Sequence, residues 1–359
     1  MKENEKNRIN YLDYLKCIAI ILVIYVHYPW TNNSVASNLT LMIVVIAVPL
    51  FFMVNGNLLL NKPTDIKNHL KKVLLIFVSL VAWKAIILLI CVVTKRIDIN
   101  SIHKLDIFYY LISSKNINRV PAEHLWFMYS LLKVYLVVPI LKLAIDSNKE
   151  IIKYILIVSF ILSFGMEILN NISLLTNKMF NLEIINFYTI GNTYNPVTND
   201  MNYIFFFIFG KYLHDKYYKV KLEKKAIILN ILLIIVGYLM LVGVYYLQRG
   251  TLTGEYQGIK NNYTQPGTLL IAYVLFKTFA QLDCGPNRLI KFLGRKTGNV
   301  YYIHMLVAAY LVDYIYKYAI NYSGILLNIL RTVIVLVISI VITEILSKIK
   351  PIKRVLNLS

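Results

Sequence analysis

The chain has 359 residues, 58% of them hydrophobic and 16% charged, with a mean hydropathy of +0.61, values that exclude an ordinary soluble domain. Its formal net charge of +20 comes from short basic clusters between apolar runs, with no separate soluble module, which argues against a nucleic-acid partner and for membrane topology. Cys17, Cys91 and Cys284 lie far apart without CxxC or CxxH spacing, so neither a disulfide framework nor a metal site is expected.

Apolar runs and their polar breaks predict ten spans, near 11–30, 39–60, 72–94, 125–143, 152–170, 199–213, 226–247, 266–282, 299–318 and 325–347, the sixth being short. The fold class expected is all-α, a polytopic transmembrane bundle, with residues 1–359 forming one membrane domain. The first apolar run, Cys17 to Tyr28, leads into Pro29-Trp30 without a small-residue cleavage site. It reads as an uncleaved anchor, with the mature protein beginning near Met1.

Basic residues test the count independently. With the N-terminus inside, inner segments hold 26 Lys and Arg, among them Lys2, Lys6 and Lys16 at the start, Lys67, Lys71 and Lys72 before the third span, and Lys216, Lys219, Lys221, Lys224 and Lys225 after the sixth. Outer segments hold 9, Lys317 included, and Lys84, Lys133 and Arg331 lie within spans. That bias places both termini in the cytoplasm and the chain in the cell membrane as a multi-pass protein. Three longer outer connections, about 95–123, 171–198 and 248–265, hold no spanning run and could cap an outward-facing cleft.

In chain order, the first span carries Asp13, Lys16 and His27. The eleven-residue separation of Lys16 and His27 is almost three whole helical turns, putting them on one face roughly 16 Å apart. An imidazole at His27 suits proton transfer near neutral pH as a general base; equally, it could be a packing histidine bonded to a neighbour. Lys84, Lys133, Glu167, His304, Arg331 and Glu344 also fall inside spans, where each charged group costs on the order of 2.5–3.5 kcal/mol. Together they predict a polar interior, either a site or interhelical Lys–Glu pairing.

Four segments resemble one family. Tyr11-Leu12-Asp13-Tyr14-Leu15-Lys16 through Val26-His27 resembles the opening of acyltransferase-3 proteins, with Lys16 where the family usually has arginine. Val48-Pro49-Leu50-Phe51-Phe52-Met53-Val54-Asn55-Gly56 is similar to its second-helix segment, with Asn55 where serine is common. His124-Leu125-Trp126-Phe127 is similar to its histidine-leucine-tryptophan-phenylalanine motif, and Leu293-Gly294 with Gly298 to His304 to its late glycine-tyrosine-histidine segment.

The resemblance implies a membrane-bound O-acyltransferase, most simply an O-acetyltransferase, moving an acyl group from cytoplasmic acetyl-CoA or another acyl-CoA to a hydroxyl of a cell-envelope glycan or related surface molecule. No fused hydrolase-like domain is apparent, so the acceptor step is expected within the bundle or with a separate partner. His27 and His124 are the candidate catalytic residues. His124 falls near the outer boundary, where it could bind or deprotonate an acceptor or simply pair with Glu123. Lys16 is the candidate donor contact, with Lys71 and Lys72 either touching donor phosphates or serving topology and anionic lipid. Asp13, Asn55, Glu167 and His304 complete the polar interior. His304 lies roughly 9 Å past Gly298 by helical rise, nearer the donor side, with a structural hydrogen bond or catalysis both open. His69, His103 and His214 fall in loops or boundaries and are assigned no catalytic part. The alternative function is a carrier or exporter of a polysaccharide or small solute, since buried charge also marks transport paths.

Overall fold

In hydrocarbon a backbone must satisfy its polar groups within itself, so apolar runs of spanning length fold as helices. The computed structural model describes residues 8–29, 33–63, 65–194, 201–282, 284–318 and 324–358. Met1, Lys2, Lys6, Trp30 and Ser359 lie outside the described residues, as does the side chain of Lys317. Among the described residues the regular structure is entirely helical: α1 (Asn10–Val26), α2 (Val35–Met42), α3 (Ala47–Leu60), α4 (Ile66–Val93), α5 (Lys104–Ile112), α6 (Trp126–Ser147), α7 (Glu150–Phe160) and α8 (Met166–Phe180). There follow α9 (Phe187–Tyr194), α10 (Met201–Tyr217), α11 (Lys224–Arg249), α12 (Pro266–Gln281), α13 (Arg288–Tyr318), α14 (Ile325–Ser347) and α15 (Lys350–Val355).

Each of the ten predicted spans falls on helix. Six stretches among the described residues are long and apolar enough to cross a membrane: Val35–Leu60, Ile66–Val93, Glu123–Ser147, Glu150–Phe180, Lys224–Arg249 and Ile325–Ser347. The first predicted span is shorter as a helix, 17 residues, and the sixth is also a 17-residue helix, running past 213 to Tyr217. Several boundaries move, the ninth span beginning at Arg288 and the fifth reaching Phe180, and two of the shifts bear on candidate residues. α1 stops at Val26, because Tyr28 takes a left-handed φ of 52° and Pro29 cannot continue a helix. α4 begins at Ile66, where Asp65 caps it by accepting from the amides of Lys67 and Asn68, so Lys67, Lys71 and Lys72 lie inside its first turns and not in a loop ahead of it. The fifth span is α7 and α8 joined by a π-helical turn, Ile161–Gly165.

The chain divides into two compact units, Met1–Val23, Thr31–Pro63 and Ile140–Gly294 in one, Ile24–Trp30, Thr64–Pro139 and Arg295–Ser359 in the other. The first unit is held by close helix pairs at small residues, the packing that apolar surroundings favour. A Cβ at Gly56 of α3 would stand 1.7 Å from the Phe207 carbonyl oxygen, and one at Gly210 of α10 would stand 2.0 Å from that of Met53. Phe52, Phe206 and Phe207 fill that seam and are fully buried.

In the second unit, α4 is anchored by buried polar groups. Lys84 Nζ donates to the carbonyls of Ser113 (2.8 Å) and Lys115 (3.2 Å), and Tyr110 Oη donates to the Lys84 carbonyl (3.1 Å). Trp83 stacks on Tyr302 of α13, ring centroids 5.7 Å apart. Lys296 of α13 pairs with Glu344 of α14.

Candidate functional site

Three imidazoles meet in the second unit. The ring centroid of His304 lies 4.6 Å from that of His124 and 5.4 Å from that of His27, and His27 and His124 are 6.1 Å apart. The sequence separated His304 from the other two by depth; the structure puts its ring against both. His124 sits in the single 3-10 turn, Glu123–Leu125, that opens α6, while His304 lies in α13 and His27 one residue beyond the end of α1.

One main-chain carbonyl fixes two of these rings. The Tyr301 oxygen accepts from His124 Nε2 at 2.9 Å and from His304 Nδ1 at 2.8 Å. A ring nitrogen that donates to a carbonyl must carry the proton, so in the neutral ring the other nitrogen presents a lone pair. Those other nitrogens, His124 Nδ1 and His304 Nε2, are both buried without a hydrogen-bond partner. Two preset acceptors beside a third imidazole form a pocket of bases that can receive O–H donors or take up a proton. The Tyr301 hydroxyl returns a bond to the His124 carbonyl, and Phe127 packs on the Tyr301 ring at 5.2 Å. His124 therefore pairs with α13, and not with its neighbour Glu123 as one reading of the sequence had it.

His27 is held through its main chain. The last carbonyls of a helix have no partner within it, and here the fully buried Arg331 of α14 supplies one. Its guanidinium donates to the carbonyls of His27 (2.6 Å), Ile24 (2.8 Å) and Tyr25 (3.1 Å). Asn328 orients it by accepting from Nε at 2.9 Å and itself reaches Tyr25 at 3.2 Å. A cation at a helix C-terminus also meets the negative end of the dipole. Arg331 stood out in the sequence only as a buried charge and Tyr301 only as a member of the late glycine-tyrosine-histidine segment, because a backbone acceptor leaves no residue-type signal.

The remaining predicted residues lie elsewhere. In the first unit Asp13 is buried and receives Arg8 Nε at 2.6 Å and Lys16 Nζ at 3.4 Å. Gly294 makes room for it, since a Cβ there would lie 2.7 Å from Asp13 Oδ1; the glycine of the late motif thus accommodates the aspartate of the first. Asn55 donates to the Phe51 carbonyl of its own helix at 2.8 Å. Glu167 meets amides and not a lysine: Gln265 donates to Oε1 at 2.7 Å and Asn261 to Oε2 at 3.0 Å. In the second unit Lys72 stands 5.4 Å from the Tyr135 ring centroid, and Lys71 lines an apolar groove. His69, inside α4 and not in a loop, donates from Nε2 to the Tyr135 carbonyl at 2.7 Å, His103 caps α5, and His214, inside α10, meets the Tyr11 hydroxyl at 2.7 Å. No group of His, Cys, Asp and Glu suited to a metal occurs among the described residues.

A model of the acyltransferase-3 family, described as an acyltransferase domain, matches residues 9–347. Comparisons with curated proteins and with solved structures return no match.

Proposed function

Because the chain belongs to the acyltransferase-3 family and is therefore a membrane acyltransferase, we propose that it transfers an acyl group, most simply acetyl, from cytoplasmic acyl-CoA to a hydroxyl of a cell-envelope glycan. The observation that carries this reading is the imidazole cluster: two ring nitrogens, His124 Nδ1 and His304 Nε2, buried with lone pairs unmet beside His27. A sugar hydroxyl offers the O–H donors they lack.

In this mechanism His27 is the general base. It takes the proton of the attacking hydroxyl as the oxygen adds to the thioester carbonyl. The tetrahedral intermediate collapses with loss of the CoA thiolate, and the proton held on the imidazole passes to that sulfur, so charge and atoms balance. His124 and His304 orient the acceptor by accepting from its hydroxyls. Arg331 positions His27 through the end of α1. In the second turn of that helix, Lys16 meets donor phosphate, and Lys71 and Lys72 add positive charge that draws an anionic donor to the inner face. Membrane depth follows from the basic-residue bias, which puts Lys16 at the cytoplasmic boundary and His27 in the outer half.

Mass comparison of envelope glycans from cells with and without the protein tests the function. A loss of mass equal to one acyl substituent per modified unit is expected in the deletion strain. Identical glycans and identical acyl content in both strains would contradict a glycan acceptor.

A further inference from the structure

Among the described residues, the first unit holds a half-open cavity of about 580 Å³ outside the imidazole cluster, lined by Arg8, Tyr11, Tyr218, Lys219, Lys221 and Gln281 among others. Its size is within the roughly 300–1,000 Å³ usual for small-molecule sites. Three of its lining residues are cationic and none of the described ones is acidic. The cavity lies where α1 begins, where the chain leaves α10, and where α12 ends. Those are the ends that carry the inner basic clusters, including Lys216, Lys224 and Lys225.

The walls are built and not merely charged. The Tyr218 ring stacks on His214, centroids 4.5 Å apart and planes at 22°, and His214 is in turn bonded to the Tyr11 hydroxyl. Tyr218 still has 36% of its surface exposed, so a braced aromatic ring is left open to a planar ligand. Lys219 holds a left-handed φ of 64° and donates its amide to the Ala280 carbonyl at 3.3 Å, which fixes the loop to the end of α12. Its Nζ stands 5.3 Å from the Tyr218 centroid. Arg8 is oriented by Asp13 at 2.6 Å and by the Lys291 carbonyl at 3.3 Å, leaving further N–H donors of its fork for an oxyanion. Asp13 also receives Lys16, so the candidate donor contact adjoins the cavity through one shared carboxylate.

A flat aromatic ring among cations recognises a phosphorylated nucleotide by stacking and charge-assisted hydrogen bonds. We propose that this cavity binds the phosphorylated nucleoside end of the acyl donor, an inference that rests on acyl-CoA being that donor. The groove in the second unit offers a contrast. It measures about 640 Å³, but apart from Lys67 and Lys71 its lining is leucine, valine and phenylalanine, which suits a lipid chain and not a base.

The test is calorimetric titration of the purified full-length protein in nanodiscs with adenosine 3′,5′-bisphosphate, which has the nucleotide and phosphates but no thioester. Inorganic phosphate and phosphatidylglycerol serve as competitors. The wild type is expected to bind the bisphosphate, and Lys219→Gln/Lys221→Gln to weaken it at least tenfold, with Lys219→Arg/Lys221→Arg restoring it. Lys225→Gln, an exposed lysine outside the cavity, is the control and should bind as wild type. No binding by the wild type, or equal binding by the double glutamine variant, overturns the proposal. Displacement at equal concentration by phosphate or by phosphatidylglycerol also overturns it, in favour of an anion or lipid-headgroup site. Bisphosphate binding with the expected variant pattern, in protein that transfers nothing from acyl-CoA, upholds the nucleotide site and removes the donor reading alone.

Discussion

Replacing Arg331 with methionine separates positioning from folding. The side chain is fully buried and serves three carbonyls at the end of α1, those of Ile24, Tyr25 and His27. Arg331→Met withdraws the guanidinium from all three carbonyls, but Tyr25 keeps Asn328 as a donor at 3.2 Å, which leaves those of Ile24 and His27 to bear the loss. Two carbonyls left wanting cost about 2–6 kcal/mol together. Against this, a cation no longer has to sit in a membrane span, which returns about 2.5–3.5 kcal/mol. Net stability should fall by no more than about 3.5 kcal/mol, a shift of several degrees in thermal unfolding of detergent-solubilised protein. Activity should suffer more. His27 loses the bond that fixes its main chain, and a displacement of about 1 Å in a reacting group costs on the order of a hundredfold. The fall should appear in kcat, with KM for acyl-CoA unchanged. Arg331→Lys should recover little, since one ammonium lacks the planar fork that reaches several carbonyls together. Transfer within a fewfold of wild type by well-folded Arg331→Met protein would refute the positioning argument.

Further outcomes are expected. His27→Ala should stay inserted and folded while transfer falls by about two or more orders of magnitude, the usual scale of a general base, as read from initial rates; near wild-type turnover would reduce His27 to packing. His304→Ala should raise KM for the acceptor more than for acyl-CoA, because its open nitrogen is assigned to the acceptor hydroxyl; steady-state kinetics with each substrate varied checks this, and an effect confined to the donor would reverse the assignment. Lys16→Gln should raise KM for acyl-CoA and Lys16→Arg should restore it, whereas unchanged donor binding by correctly inserted Lys16→Gln protein counts against a phosphate contact. Gly56→Ala should destabilise by about 3 kcal/mol, the upper end of overpacking costs, because its Cβ would meet backbone 1.7 Å away with no side chain free to yield; an unchanged unfolding temperature would show that α3 and α10 can separate.

Hydropathy was enough to put the described residues of every predicted span largely on helix, since helices follow from the hydrocarbon solvent. What they could not reach were features made by pairing across the sequence. Pro29 marks the end of α1 in the sequence, but the residue that bonds its last carbonyls, Arg331, lies some three hundred positions away. Lys–Glu pairing was a fair expectation for buried charges. It holds for Lys296 with Glu344, yet Glu167 is met by amides and Lys84 by carbonyls. His27 and His124 were marked by motif, but His304 was given a different depth because helical rise measures distance along one axis only. Its partner is the Tyr301 carbonyl, which every residue possesses and no motif can mark.

We propose that these imidazoles perform acyl transfer to an envelope hydroxyl. The most direct test offers acetyl-CoA labelled in the acetyl group to inverted membrane vesicles carrying either wild-type protein or His27→Ala, with label counted separately in envelope glycan and in free solute inside. Label should enter glycan in wild-type vesicles, without net movement of solute, and should be at least a hundredfold lower in the variant. Equal glycan labelling by both proteins, or transport of solute with no labelled glycan, would contradict the account.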